Sequence, residues 1–391
     1  MLAFRTTRRL ITGVAVTALL LSASTWTAEA QSPAVVAIQG QVVEAETNAP
    51  LPGAHVFIAQ SMIGTTTDSQ GRYQLDRVPV GATRLYVSML GYEPEARDLM
   101  IRASEQPLVE DFRLAEGVLE LDEVTVVGVR DPNWERHLKK FVRLFIGETP
   151  NAAHARILNP EVLSFSETLG QFAAVASEPL LIENRALGYR VQYFLDEFKA
   201  TPTRTSYDGE ALFEEMPAPS PEIARQWEGL RRQAWYGSFR HFILSVLDQT
   251  AEEKGYHIYS RPDMGETQVN PSVATAGSAA GILAGRQRFP LEPDDLYDDG
   301  ETEQEKTLNF HGFVEILFTG ELETDDYRSW RGAAHGGSRR DAFQTSWIRL
   351  ERGPSIVDYK GDVLDPYGVT FYGFLAFERV ADELPKEYRP Q

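Results

Sequence analysis

The sequence contains no cysteine. Disulfides, thiolate metal sites and a lipid-modified cysteine are therefore excluded. Lysine is scarce beside arginine, and basic residues as a whole are outnumbered, 38 Lys plus Arg against 57 Asp plus Glu. The resulting formal charge of −19 repels nucleic acid and anionic lipid at long range, so neither is an expected partner. A solvated acidic surface accounts for that charge, and salt adaptation would leave the same pattern. Long apolar runs are also missing after the N-terminal segment, so no helix of the mature chain is expected to cross a membrane.

The N-terminus holds three basic residues, Arg5, Arg8 and Arg9, then an apolar core from Ile11 to Ala23. Ala28-Glu29-Ala30 has the small-x-small form of a cleavage site, so residues 1–30 read as a signal peptide and Gln31 as the mature N-terminus. The apolar run is shorter than the ~20 residues a span requires. Arg8-Arg9 lacks the rest of a twin-arginine motif, which favours general secretion. Loss of residues 1–30, with three Arg and one Glu, takes the formal charge to −21. The expected location is the periplasm or the periplasmic face of the outer membrane.

From Gly40 to Leu114, short alternating apolar segments are divided by turns at Pro50–Gly53, Asp68–Gly71 and Pro79–Gly81. That rhythm predicts a small antiparallel β-sandwich. Asp68 is suited to cap its turn with a carboxylate while Gly71 supplies positive φ. Five motifs follow in order: Gly40-x-Val42; Pro50-Leu51-Pro52-Gly53-Ala54-x-Val56; Gly64-Thr65-Thr66-Thr67-Asp68-x-x-Gly71-x-Tyr73-x-Leu75; Val78-Pro79-x-Gly81; and Ser88-x-x-Gly91-Tyr92. In that order they resemble the carboxypeptidase-like regulatory domain, a transthyretin-like β-sandwich also found ahead of the plug in many outer-membrane receptors of Bacteroidetes-type bacteria. The resemblance places such a sandwich at residues 38–115 and implies a module that binds or positions rather than catalyses.

Residues 116–131 read as a linker, and Leu121 to Gly128 resembles the segment that joins this sandwich to the plug in TonB-dependent receptors. The remaining length is far too small for a 22-stranded transporter barrel. Residues 132–391 predict an α+β domain. Asp131-Pro132 starts a helix with Trp134, Leu138, Phe141, Val142 and Phe145 at helical spacing. A second helical stretch is expected over Pro150–Ile157. Alternation from Leu187 to Leu195 predicts a strand, with Thr203–Glu214 as its hairpin partner. Ser220-Pro221 opens the longest helix, expected to end before Gly255. Further strands are expected at Tyr256–Ser260, Leu308–Leu322, Phe343–Glu351 and Val369–Glu378, with loops at Ala274–Gly285 and Glu292–Glu305. Four phrases, Asn159-Pro160 to Phe165, Glu183-Asn184-x-x-Leu187-Gly188-Tyr189, Tyr236-Gly237-Ser238-x-Arg240-His241-Phe242 and Leu384-Pro385-x-x-Tyr388-x-Pro390, resemble a group of exported Bacteroidetes proteins that carry the same sandwich. That group brings no defined activity.

Tests for catalysis return little. None of the seven histidines is followed by Glu at the third position, as a zinc carboxypeptidase requires. His311 and Glu315, four apart on a predicted strand, stand about 13 Å from each other. No Gly-x-Ser-x-Gly elbow and no phosphate loop completes. Arg339-Arg340 after Gly332–Gly337 reads as a surface loop before it reads as an anion grip. Asp294, Asp295, Asp298 and Asp299 read as a solvated loop before a calcium site. The most chemical-looking set is Trp227, Arg231, Trp235, Tyr236, Arg240 and His241, where guanidinium can stack on indole at i, i+4 spacing. The set is a candidate binding platform for a glycan or peptide, and helix-on-sheet packing is the competing reading.

The chain is thus expected to be mainly β and α+β: an N-terminal transthyretin-like β-sandwich, then an antiparallel sheet domain with one long helix. No catalytic, metal or cofactor residue is assigned. The expected function is an exported, non-enzymatic binding or assembly protein of the cell envelope, whose partner is an envelope protein, a peptide or a glycan. The alternative is an envelope hydrolase acting through carboxylates of the C-terminal domain.

Overall fold

The computed structural model describes residues 34–103, 106–117, 132–168, 170–201, 204–261, 288–300, 305–331, 342–358, 360, 361, 363, 365 and 368–390. The signal peptide, the linker segment Leu121–Gly128, the Asp131 cap, the small-residue stretch Ala274–Gly285 and Arg339-Arg340 lie outside them. Among the described residues, no helix is long and apolar enough to cross a membrane.

The sandwich strands are β1 (Val35–Glu44), β2 (His55–Ile58), β3 (Gly64–Thr66), β4 (Arg72–Pro79), β5 (Gly81–Ser88), β6 (Glu95–Ile101), β7 (Leu108–Val109) and β8 (Phe112–Leu114). One sheet pairs β4 antiparallel to β1, with β7 and β8 running parallel to β1. The other has the antiparallel order β3-β2-β5-β6. The Asp68 turn forms as its residues dictate. Asp68 Oδ1 accepts the backbone N–H groups of Gln70 and Arg72 at 2.8 and 2.9 Å, and Gly71 takes φ +71°. Those two bonds hold the Asp68 carboxyl below its ordinary range.

Alternation along β2 and β5 breaks down, because both strands are buried on two faces. Val56, Ile58, Leu85 and Val87 fill the sandwich core, while Phe57 and Tyr86 bury outward against Phe194 and Leu212. This outward cluster docks the sandwich on the rest of the chain.

The remainder begins with helix α1 (Trp134–Phe145), whose N-cap is Asn133, and a 3-10 turn at Ala152–His154. Strands β9 (Ala155–Ile157), β10 (Leu163–Thr168), β11 (Gln171–Ala176), β12 (Leu180–Asn184), β13 (Tyr189–Ala200) and β14 (Thr205–Glu215) make one antiparallel sheet. The predicted hairpin is β13–β14, in register from Tyr189↔Glu215 to Ala200↔Thr205. Leu187, Tyr189, Val191, Tyr193 and Leu195 face a core shared with Phe141 and Phe145 of α1. The helix expected over Pro150–Ile157 is one 3-10 turn and then β9, because Ile157 pairs with Ile182 at the sheet edge. Such pairing overrides local propensity.

The long helical stretch from Pro221 is two helices, α2 (Pro221–Trp235) and α3 (Phe239–Leu247). Gly237 at φ +83° stops α2, and the Ser238 hydroxyl, accepting His241 N–H at 3.2 Å, caps α3. A Cβ at Gly237 would lie 2.7 Å from Gln344 Oε1, the movable end of a side chain, so it is the positive φ that calls for glycine here. α2 contributes Ala234 to the first core, whereas α3 places Phe242, Ile243 and Val246 on a second. That second core covers β15 (Tyr256–Arg261), which with β16 (Phe289–Pro290), β19, β20 and β22 forms a five-stranded sheet; β17 (Tyr297–Asp299), β18 (Glu305–Leu308) and β21 form a three-stranded one. Here β19 is Phe313–Leu322, β20 is Phe343–Leu350, β21 is Ser355–Asp358 and β22 is Val369–Gly373. The single strand expected over Leu308–Leu322 is divided between β18 and β19. The strand expected to reach Glu378 stops at Gly373, whose φ of +72° turns the chain into a short helix, Phe374–Phe377.

The sandwich turn Gln60–Met62 continues the docking by backbone bonds. Gln60 N–H donates to Ala211 O at 2.7 Å, and Ser61 O accepts Phe213 N–H at 2.8 Å, a parallel bridge on the edge of β14. On its other side Gln60 O accepts Lys386 N–H at 2.8 Å from the C-terminal segment. Residues 34–391 accordingly form one compact unit.

Phe194 stacks on Phe57 with centroids 4.6 Å apart, at the centre of the docking cluster. Its removal leaves a cavity that the two flanking sheets cannot close. Phe194→Ala should therefore destabilise the chain by about 3–5 kcal/mol, measured by urea unfolding. A loss below about 1 kcal/mol would show that the cluster does not hold the sandwich in place.

Candidate functional site

The structure divides the six residues of the predicted platform between separate tasks. Trp227 lies over Gly188, where a Cβ would come within 2.3 Å of the indole, and its Nε1–H donates to Arg185 O at 2.8 Å. Arg231 donates to Leu187 O at 2.7 Å and Glu215 Oε1 at 2.6 Å, with its guanidinium 4.1 Å from the Tyr189 ring centre. Both residues are buried and fix the β12–β13 corner on α2. Tyr236 is 40% exposed at the helix break. His241 is buried; its Nδ1 lies 2.8 Å from the Tyr256 hydroxyl and accepts the Gly237 N–H at 3.4 Å. Nδ1 is thus the acceptor and Nε2 carries the proton. Burial pushes this imidazole down to about 4, so it stays neutral at any physiological pH.

Trp235 and Arg240, by contrast, line a cleft of about 260 Å³. The Arg240 guanidinium lies 4.9 Å from the Trp235 ring centre, and that of Arg389 lies 5.0 Å from it. Arg240 also donates to Pro385 O at 3.1 Å, and Arg389 to Lys360 O at 2.9 Å. The walls come from separate parts of the chain: Gln60 from the sandwich, Ala234 and Trp235 from α2, Phe239 from α3, Phe371 from β22, and Asp382, Leu384 and Lys386 from the C-terminal segment. A second cavity of about 30 Å³ shares Gln60, Val363 and Lys386 with it and reaches the Arg84–Glu210 ion pair.

That C-terminal segment is tied down along its length. Asn184 Nδ2 donates to Ala381 O at 2.8 Å, Tyr388 donates to Glu228 Oε1 at 3.1 Å, and the Tyr388 ring meets Trp235 edge-on at 6.2 Å. Asp382 accepts from Thr149 Oγ1 at 2.9 Å and from Asn151 Nδ2 at 2.9 Å. Burial pushes Asp382 up to about 6 and Glu383 up to about 7, and holds Glu378 well above the carboxylate range. Sequence reasoning missed Gln60, Phe371, Asp382 and Lys386. Its one signal was the phrase Leu384-Pro385-x-x-Tyr388, which here meets the Tyr236–Phe242 phrase across the cleft.

The four aspartates read against calcium are turned to separate partners. Asp294 accepts from Gln249, Asp295 from Glu292 N–H, Asp298 from Asn309, and Asp299 pairs with Lys306. Glu315, beside His311 in sequence, is buried in an ion-pair set with Arg261 and Arg288 and accepts the Trp347 indole N–H at 3.1 Å. Among the described residues no group of three His, Asp or Glu is placed to hold a metal ion.

Residues 38–126 match the CarboxypepD_reg-like domain. The sandwich is a carboxypeptidase-regulatory-like domain. No curated protein matches the chain significantly. Among solved structures, the chain is similar to a type II cohesin-X-dockerin complex of Acetivibrio cellulolyticus at 18% identity and TM-score 0.17, over 21% of this chain. It spans 58% of that structure's chain, less than two thirds of its length. A DUF3823 family protein of Bacteroides ovatus is 10% identical over 47% of this chain and 82% of its own, at TM-score 0.17. A Bacteroides fragilis protein of unknown function is 10% identical over 87% and 95%, also at 0.17. At such scores these likenesses carry no functional weight.

The regulatory-like domain meets β14 at a buried charge. Glu210 is 3% exposed, with Oε1 2.7 Å from Arg84 Nε. The ion pair favours the carboxylate, but burial outweighs it and pushes Glu210 up to about 7 from 4.5. The folded chain therefore holds a proton that the unfolded chain releases between those values. Stability from this group is full at low pH and falls as pH rises through about 7. Between pH 5 and pH 8, Glu210→Gln should remove on the order of 2–3 kcal/mol of that decline, read from urea midpoints. An unchanged decline would remove Glu210 from the account.

Proposed function

We propose that the chain is an exported, non-enzymatic binding or assembly protein of the cell envelope, and that its ligand enters the cleft between the regulatory-like domain, the α2–α3 corner and the C-terminal segment. On this reading residues 1–30 are the signal peptide, 38–115 the sandwich, 116–131 a linker and 132–391 the ligand-binding domain, working in the periplasm or at the periplasmic face of the outer membrane. The observation that carries it is the construction of the cleft. Its walls are drawn from separate parts of the chain, and the acidic group among its described lining residues, Asp382, has both oxygens engaged by Thr149 and Asn151. Such a group positions structure rather than transferring protons. The sandwich's contribution through Gln60 gives it a part in shaping the site.

Val363 is a lining residue, so Val363→Trp places a large side chain in the cleft. Full-length protein immobilised on resin should retain a defined envelope protein, peptide or glycan that the Val363→Trp chain, with an unchanged melting temperature, does not. Equal retention by the two chains would sink the assignment of the cleft.

A hydrolase has one observation in its favour, the three adjoining carboxyl groups of Glu378, Asp382 and Glu383 that burial holds partly protonated. If Asp382 is structural, Asp382→Asn should cost on the order of 1–3 kcal/mol through its Thr149 and Asn151 contacts. Neither chain should then cleave pooled envelope peptides or glycans. Cleavage by the native chain that Asp382→Asn abolishes would establish the enzyme instead.

A further inference from the structure

The sandwich meets the hairpin sheet through carboxyl groups as well as through rings. Tyr86 of β5 donates its hydroxyl to Asp196 Oδ1 of β13 at 2.9 Å, and Arg84 of β5 stands 2.7 Å from Glu210 of β14. Arg84 is shared, because Asp98 of β6 also reaches it at 3.1 Å. Glu210 Oε1 is buried and meets Arg84 without a directed hydrogen bond. Asp208 of β14 is close enough to disfavour charge on both Asp196 and Glu210, while Lys386 of the C-terminal segment favours it on Glu210. From β2, His55 meets the Phe194 ring edge-on at 5.5 Å, and burial pushes its imidazole down. Farther along the interface, Asp358 accepts the Ala82 N–H at 3.1 Å and pairs with Lys360, and Glu387 accepts the Met62 N–H at 3.1 Å.

We propose that this acid cluster makes the docking of the sandwich pH-dependent: protons held at the interface keep the Gln60–Met62 turn on β14, and their loss releases the turn while both bodies stay folded. The release is local because the sandwich and the hairpin sheet each have a core of their own, joined by the small cluster of Phe57, Tyr86, Phe194 and Leu212. The αL backbone of Gln60, at φ +57°, favours release once that hold weakens. Burial pushes Asp196 up to about 6 and Glu210 up to about 7. Undocking returns both carboxyls to water and to their ordinary range, so the undocked state binds fewer protons. Docking is therefore strongest at low pH, weakens as pH rises from about 5 to about 7, and levels off above that. His55 acts in the opposite sense at the acid end, where its protonation opposes burial. Release uncovers the β14 edge at Ala211 and Phe213.

Amide hydrogen exchange of the full chain from about pH 5.5 to about pH 7.5, corrected for the intrinsic rise of exchange with pH, tests this. The bonded amides of Gln60, Phe213 and Lys386 report docking, and that of Val42, bonded to Gly71 O inside the sandwich, reports its core. Opening at the three docking amides should rise about 10-fold or more across that range, while Val42 changes by less than about 2-fold. Glu210→Gln should hold the rise at the docking amides below about 3-fold. A flat response in the native chain overturns the proposal, and so does an equal rise in Glu210→Gln. A rise shared by Val42 reports global unfolding and overturns it as well. If Glu210→Gln does not fold, Asp196→Asn decides: it should cut the rise by about 2-fold or more, and an unchanged rise overturns the device.

Discussion

The arrangement of this chain depends on one contact, the seating of the sandwich turn Gln60–Met62 between the edge of β14 and the C-terminal segment. Backbone bonds from Gln60 and Ser61 to Ala211 and Phe213 extend the hairpin sheet, and the Gln60 carbonyl then accepts from Lys386. A β-edge left open is a liability that proteins cover, and here a turn from another part of the same chain covers it. Gln60 takes φ +57° to do so. A non-glycine residue in that region costs free energy and persists only where its surroundings hold it. The packed rings of Phe57, Tyr86 and Phe194 supply that hold from the adjacent strands. The seating shapes the cleft, because it brings Gln60 and Lys386 together in its wall.

The sandwich was legible in the sequence because its turns use residues with few alternatives. Asp68 and Gly71 form the turn their chemistry predicts, and the alternation of Tyr73 and Leu75 gives the core face directly. Docking was less visible. The run His55–Ala59 lacks polar alternation, which signals burial on both faces, but such a run names no partner surface. The strands between Leu163 and Asn184 were silent for a related reason. Ser, Ala, Glu and Gly there have weak strand preference, and pairing in the sheet decides their conformation. The break in the long helix was written in Tyr236-Gly237-Ser238 as a stop followed by a cap. It was masked by apolar spacing that continues through Phe242 and Val246 because α3 packs on a second core.

The six platform residues show why spacing on a helix is a poor guide to a surface. Trp227, Arg231 and Trp235 do share a side of α2, yet that side meets Gly188, Tyr189 and the C-terminal segment rather than solvent. A ladder of arginine on aromatic rings is equally good packing when carbonyl oxygens meet its N–H groups, as Leu187 O does for Arg231. Two of the phrases, at residues 236–242 and 384–390, meet in the structure. Arg240 binds the carbonyls of Leu384 and Pro385 at the cleft, while Asn184 of the 183–189 phrase binds the Ala381 carbonyl just ahead of that segment.

Catalysis and anchoring make different demands on buried ionisable groups. A general acid or base must exchange its proton with a substrate, so at least one of its atoms has to face the reacting group. His241 spends Nδ1 on Tyr256 and Gly237, and burial keeps it neutral, so its ring orders the α2–α3 corner. Asp382 spends its oxygens on Thr149 and Asn151, which anchors the C-terminal segment to the turn after α1. Raised carboxyl values here follow from burial, the cost of anchoring a chain end with acids rather than amides. Perturbed titration marks a catalytic centre when the group also points into the cavity. In this chain the perturbed group that borders the cavity is Asp382, and its oxygens are engaged by Thr149 and Asn151, which is the observation behind the proposed binding role.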